Sequence, residues 1–202
     1  MWVQASRLIG TKVLSMQSTS AIGAVSKPIV DPSDCKILGF YLSGPLVDRS
    51  ANILDTKSIR EYSRYGMVVD SIDELVNKED VVKISKVIDL NFNLIGLKVE
   101  TKKGTKLGKV MDYTVTSEDY IVQQIIVKRP IMKSLVDLDL TIPRSEIVEI
   151  DDYKIIVKDE ESVIKKKAET EDFIPNFVNP FRKSEQDYAQ SQTEIPDDKD
   201  TE

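Results

Sequence analysis

The pattern Leu-Ile-Gly-x-Lys-Val occurs twice, at residues 8–13 and 94–99, and this recurrence at a spacing of 86 governs what the chain can fold into. Self-similarity at a fixed distance means one supersecondary unit written twice, and each half is expected to close its own sheet around Val, Ile and Leu. The likeness continues beyond the hexapeptide. Nine residues after Val13 stands Ile22-Gly23-Ala24-Val25, and eight after Val99 stands Leu107-Gly108-Lys109-Val110. Each half therefore reads as a strand, a short polar turn and a second strand opening apolar-Gly-x-Val. Gly104 suits a tight hairpin that needs positive φ. The first half has no glycine there, which predicts a looser loop over Ser15–Ala21.

Lys36–Leu42 answers Ile121–Lys128 as a third strand, Ile59–Tyr62 answers Ile147–Ile150, and Met67–Val69 answers Ile155–Val157. Val136–Ile142 alternates apolar and polar residues, the mark of a half-buried strand, and Pro143 ends it because proline cannot donate to a central ladder. Short strands at intervals of about ten residues, punctuated by Gly and Pro, predict small β-barrels. Between the repeats, Ser71-Ile72-Asp73-Glu74 has the capping-box form, and apolar residues at Val81, Ile84, Val87 and Ile88 keep a helical spacing. Two short helices within 72–90 are expected, their apolar face turned to a barrel. The organisation is then a first repeat over 1–71, a helical linker over 72–92, a second repeat over 93–160 and a charged exit and tail over 161–202.

Charge is unevenly distributed. The chain of 202 residues carries a formal net charge of −6. From Ala168 to Glu202 there are ten acidic residues against three basic ones, so the acidity belongs to the tail and the repeats are nearly neutral. No run approaches the roughly 20 apolar residues of a membrane span, and no basic leader with an apolar stretch stands at residues 1–10. One cysteine, Cys35, can form no internal disulfide, which fits a reducing, cytoplasmic location. The chain contains no histidine, which removes Ser-His-Asp and Cys-His nucleophile systems and the common zinc sites. Phosphate-cradling and calcium-loop motifs are absent too. A non-catalytic protein without metal or other cofactor is expected.

With these residues assembled, the chain resembles the PRC-barrel family. The resemblance rests on L-I-G-x-K-V, a hairpin, L-G-K-V and the later Ile142-Pro143-Arg144-Ser145-Glu146-Ile147-Val148-Glu149-Ile150 followed by a β-branched strand. It covers about 6–70 and 93–158, more closely in the second copy. It implies a mainly β protein of two small barrels in tandem, linked by short helices and followed by a disordered acidic tail. It further implies a barrel that serves as a docking body with no shared catalytic residues. Related barrels occur in the photosynthetic reaction-centre H subunit and in a ribosome maturation factor. The aromatic pair that precedes the L-I-G segment in the latter is missing here, where Phe92 stands alone.

Two surfaces are candidates for partner binding. Lys98, Lys102, Lys103, Lys106 and Lys109 crowd one hairpin, with Lys128, Arg129 and Lys133 later in the same repeat, diluted by Glu100, Glu118 and Asp119. Lysines there can meet phosphates or an acidic protein, or simply solvate turns and blunt strand edges. The tail places Phe173, Phe177 and Phe181 within nine residues, with Pro175 and Pro180 among them opposing a helix, as a linear docking motif or as a flap over an apolar patch of its own barrel. The carboxylate pairs Asp151-Asp152 and Asp137 with Asp139 read as turn and solvent-side strand rather than as acid/base sites. A protein partner is expected, with nucleic acid or ribosome contact as the first alternative and a small ligand in a barrel mouth as the second. The assembly is a monomer with internal pseudo-symmetry or a homodimer.

Overall fold

A computed structural model of the chain describes residues 1–129 and 139–159, all within one compact unit, Met1–Val163. Lys133, most of the strand expected from Val136, the run Lys165–Lys167 and the tail phenylalanines lie outside the described residues. The elements run β1 (Trp2–Gln4), α1 (Ala5–Leu8), β2 (Lys12–Ser15), β3 (Ser20–Asp31), β4 (Lys36–Ser43), β5 (Ile53–Asp55), β6 (Glu61–Ser63), β7 (Gly66–Val69) and β8 (Leu75–Val76). After helix α2 (Val82–Asp89) come β9 (Lys98–Thr101), β10 (Lys106–Thr116), β11 (Val122–Lys128), β12 (Leu140–Pro143), β13 (Ile147–Ile150) and β14 (Lys154–Val157). The fold is mainly β.

The strands form two sheets of seven. The first has the order β6-β7-β2-β3-β4-β5-β8, and the second the order β13-β14-β9-β10-β11-β12 with β1 beside β10. From β6 to β5 and from β13 to β12 the two orders are the same. In both, a single parallel pair, β2 with β7 and β9 with β14, interrupts an otherwise antiparallel sheet. The outermost strands β12 and β13 are joined only by the 3-10 turn Arg144–Glu146. A three-residue link is too short to span a flat sheet, so the second sheet curls until its margins meet there.

The repeated hexapeptide turns out to be the entry into each sheet, not a strand throughout. Leu8 and Leu94 are buried, the isoleucine after each is exposed, and Gly10 and Gly96 take φ of 79° and 94°. Gly10 N–H donates to Val25 O at 2.8 Å and Gly96 N–H to Val110 O at 2.9 Å. Only Gly enters this region without cost, and this is why the motif keeps it. The strand proper starts two residues on, with Val13 and Val99 both fully buried.

The expected looser loop in the first half is not found. Both β2–β3 and β9–β10 are joined by four residues. Where the second hairpin has Gly104 at φ 83°, the first places Thr19 at φ 49°. A β-branched residue in the left-handed region is held there at a cost of about 1–2 kcal/mol. Thr19→Gly is therefore expected to raise stability by about 1 kcal/mol, checked as a shift of the urea midpoint at unchanged slope.

The two halves exchange equivalent contacts where they meet. Cys35 and Tyr120, at corresponding turns, both take positive φ, 52° and 57°. Ile37 N–H donates to Tyr120 O at 3.0 Å, and reciprocally Val122 N–H donates to Cys35 O at 2.8 Å. Such exchange of equivalent contacts is the signature of an isologous interface, here within one chain. Beside it, Phe40 of the first sheet meets the Tyr120 ring edge-on at 5.5 Å. One apolar cluster runs through both sheets, from Val13, Phe40 and Leu54 to Val115, Ile125 and Ile142.

Of the two helices expected in 72–90, one forms. Ser71 accepts from Asp73 N–H and starts only a 3-10 turn, Ile72–Glu74; at the next turn Asp80 Oδ2 accepts from Asn77 N–H at 3.0 Å. The helix α2 buries Ile84 and Val87 against Ile29, Leu38 and Ile53. Lys83 on its outer side reaches Asp31 at 3.4 Å and Asp34 at 3.6 Å. Burial opposes ionisation of Asp31, but hydrogen bonds from Ser33 and the ammonium of Lys83 outweigh it and hold the carboxyl below its ordinary range.

The pattern gave no warning of β1. These first residues leave their own repeat and pair with β10 of the second sheet, Trp2 opposite Thr116 and Gln4 opposite Thr114. Asp112 fastens the arrangement: its carboxylate accepts from Ser6 Oγ at 2.6 Å, from Ser6 N–H at 3.2 Å and from Tyr113 N–H at 2.8 Å.

Candidate functional site

Strand register brings together lysines that are far apart in sequence. Lys109 of β10 lies opposite Lys98 of β9 on one side and Lys128 of β11 on the other, and Lys98 is in register with Lys154 of β14. Four lysines thus form one row across four adjacent strands. The residues next to them, Val99, Val110, Val127 and Ile155, are 0–2% exposed. Alternation therefore turns the lysines to the outer face. At about 4.8 Å per strand the row spans roughly 14 Å.

The face is concave. Lys98, Lys106, Lys109, Lys128, Arg129 and Glu100 surround a hollow of about 510 Å³. Its floor is shaped by a bulge between Lys106 and Gly108, where β10 drops a register position against β9. Gly108 takes φ 144°, and a Cβ there would stand 2.1 Å from the Lys128 carbonyl oxygen. The missing side chain is what lets β10 approach β11 closely and tighten the curl under the lysines.

The candidate residues separate accordingly. Lys106 lines the hollow. Lys102 and Lys103 stand beyond it on the β9–β10 turn, where Lys103 Nζ lies 3.1 Å from Asp159 Oδ2. The acidic residues that seemed to dilute the charge are mostly elsewhere. Of the described acidic residues, only Glu100 lines the hollow. Glu118 sits past the far end of β10, 2.5 Å from the N-terminal ammonium, and Asp119 accepts from Thr116 Oγ1 and Ile121 N–H. Among the described residues, Lys98, Lys106, Lys109 and Lys128 have no carboxylate partner.

The first sheet serves as an internal control. The row equivalent to Lys154-Lys98-Lys109-Lys128 is Gly66-Lys12-Ala24-Ser43. The same strand order is built there with one lysine, so the fold does not require four. Like charges directly across a ladder are destabilising, by about 0.2–1 kcal/mol per pair before screening. The second sheet carries three such pairs.

The remaining candidates are structural. Asp151 accepts from Tyr153 N–H and Lys154 N–H, both at 2.8 Å, and closes the β13–β14 turn; the first of these bonds is the main reason its carboxyl lies below the usual range. Asp139 is exposed just before β12, and Asp137 lies outside the described residues. Cys35 is buried, and burial pushes its thiol up, away from nucleophilic reactivity. No group of three or more Cys, Asp or Glu among the described residues is placed to hold a metal ion. No helix among them is long and apolar enough to cross a membrane.

The lysine row was only half legible in the sequence: the density of Lys was visible, but which of them share a face depends on register. Comparison with family models gives no match for this chain, and comparison with curated proteins gives none either.

Proposed function

We propose that the chain is a non-catalytic docking module that holds an acidic protein partner across the lysine row of its second sheet. The observation that carries this reading is the contrast between the two repeats, one with four aligned lysines and one with a single lysine on the same frame. A row of like charges weakens the isolated fold and strengthens a complex with a polyanion, so its presence favours binding over structure as its use. A protein fits better than RNA because, among the described residues, no aromatic side chain lines the hollow, and lysines alone offer no surface on which bases stack.

In this reading each curled sheet is a small PRC-barrel-like body, over 1–71 and 93–160, joined by 72–92 and followed by the acidic tail 161–202. The shared strand order and the three-residue link between the margins of the second sheet support it. The reciprocal hydrogen bonds between Ile37 and Tyr120 and between Val122 and Cys35 support a monomer with internal pseudo-symmetry that does the work of a homodimer of single repeats. A lone buried cysteine suits a cytoplasmic setting.

The test is fluorescence anisotropy of a labelled glutamate-rich decapeptide with the full chain and with Lys98→Glu, Lys109→Glu and Lys128→Glu combined. Binding is expected to fall between 50 and 200 mM salt and to drop roughly 100-fold in the triple variant, about 1 kcal/mol per substitution. In the free protein, Lys109→Gln is expected to raise stability by a few tenths of a kcal/mol at low salt and by nothing at 1 M. Equal peptide binding by the triple variant and the wild-type chain refutes the reading. An RNA oligomer bound more tightly than the peptide, with the same lysine dependence, replaces the protein partner by a nucleic acid.

A further inference from the structure

A second groove lies across the junction of the two sheets and has a different chemistry. Trp2 of β1 and Arg7 of α1 reach it from the N-terminal segment seated on the second sheet, and Tyr62 of β6 and Arg64 reach it from the first sheet. Its volume is about 580 Å³, within the ordinary range of small-ligand sites. Among the described residues, no carboxylate lines it.

Three features mark it as more than a seam. Trp2 is the chain's single tryptophan and is 60% exposed, turned outward on a strand whose next residue, Val3, is buried. Neither Arg7 nor Arg64 has a carboxylate partner among the described residues, whereas nearby Arg60 is clasped by Asp70 through both Nε and Nη2. Arg64 instead lies over the Tyr65 ring, 4.7 Å from its centroid. The repeat again provides a control. Tyr62 pairs with Met67 as Ile150 pairs with Ile155, which places Arg64 in correspondence with Asp152; Arg7 precedes Leu8 as Asn93 precedes Leu94. In the other half these positions hold a neutral and an acidic residue, so the frame does not call for the arginines.

From this placement we infer that the Trp2–Tyr62–Arg7–Arg64 groove binds a planar aromatic base bearing a phosphate, that is, a nucleotide unit, free or within a single strand. The indole and phenol offer faces for stacking. The two guanidinium groups carry more donors than one carboxylate can use, while a phosphate can accept from both. Lysine in their place would supply charge without the planar fork. The inference stands independently of the lysine row.

The single tryptophan reports directly on this site. The full chain is titrated with adenosine monophosphate and, separately, with a single-stranded RNA octamer, following Trp2 fluorescence. Saturable quenching by one or both is expected, and the probe that saturates at lower concentration identifies the source. Arg7→Gln with Arg64→Gln is expected to weaken quenching at least tenfold at an unchanged unfolding midpoint, while the triple lysine variant leaves mononucleotide quenching unaltered. Absence of saturable quenching by both probes overturns the inference. So does quenching that survives loss of both arginines, or equal quenching by the glutamate-rich peptide, which makes the groove a protein-docking surface instead.

Discussion

Replacing Phe40 by alanine is expected to destabilise the protein by about 3–5 kcal/mol, and to do so for both halves at once. Phe40 is fully buried in β4, between Pro28 of β3 and Leu54 of β5, and its ring meets Tyr120 of the other half. The loss therefore combines the transfer free energy of the ring, a cavity where the two halves meet and an aromatic edge contact worth about 0.5–1.5 kcal/mol. Since one apolar cluster passes through both sheets, calorimetry should show a single transition moved down by roughly 10 °C. Two transitions, of which only the earlier moves, would mean that the halves fold separately and do not share one core. Tyr120→Phe is the control. It keeps the edge contact and removes a buried hydroxyl that has no hydrogen-bond partner among the described residues, so it should cost little.

Gly108→Ala is expected to cost about 3 kcal/mol or more, an effect out of proportion to one methyl group. The added Cβ would meet the Lys128 carbonyl oxygen at 2.1 Å, and its neighbour Val127 Cγ1 at 3.1 Å. A backbone atom held in a ladder cannot turn aside as a side chain can, so β10 and β11 must separate. Gly96→Ala isolates the conformational share of the effect, because Gly96 has a positive φ but open space around its Cβ position. About 1 kcal/mol is expected there. Equal costs at the two positions, measured by urea unfolding, would show that the close approach of the strands is unimportant. The same substitution should also weaken acidic-peptide binding, since the Lys109–Lys128 pair sits on the strands being forced apart.

Much of the architecture was readable from the repeat. The equivalence of Leu8–Val13 with Leu94–Val99, the positive φ of Gly104, the third strands over Lys36–Leu42 and Ile121–Lys128, and the stop at Pro143 all follow from periodicity and turn chemistry. The misreadings have a common cause. Thr19 occupies a conformation its own preference opposes, because a four-residue turn between paired strands leaves it no alternative. Ser71 resembles a helix start, yet the chain is drawn off into β8 after one turn because Leu75 and Val76 pair with Leu54 and Ile53. In each case a tertiary pairing overrode a local signal.

What the sequence determined by itself is therefore the unit and its duplication, since alternation of apolar residues and the placement of Gly and Pro are local properties that any strand or turn must satisfy. It also showed that these 202 residues contain no histidine. What only the tertiary structure decided is which residues stand together: the lysine row set by register across β14, β9, β10 and β11, and the Trp2–Arg64 groove made when β1 crosses to the other sheet. The physical reason is that a strand's pattern states which face a residue takes but not which strand lies beside it. That choice is made by the burial of the whole core and by hydrogen bonds between segments distant in the chain.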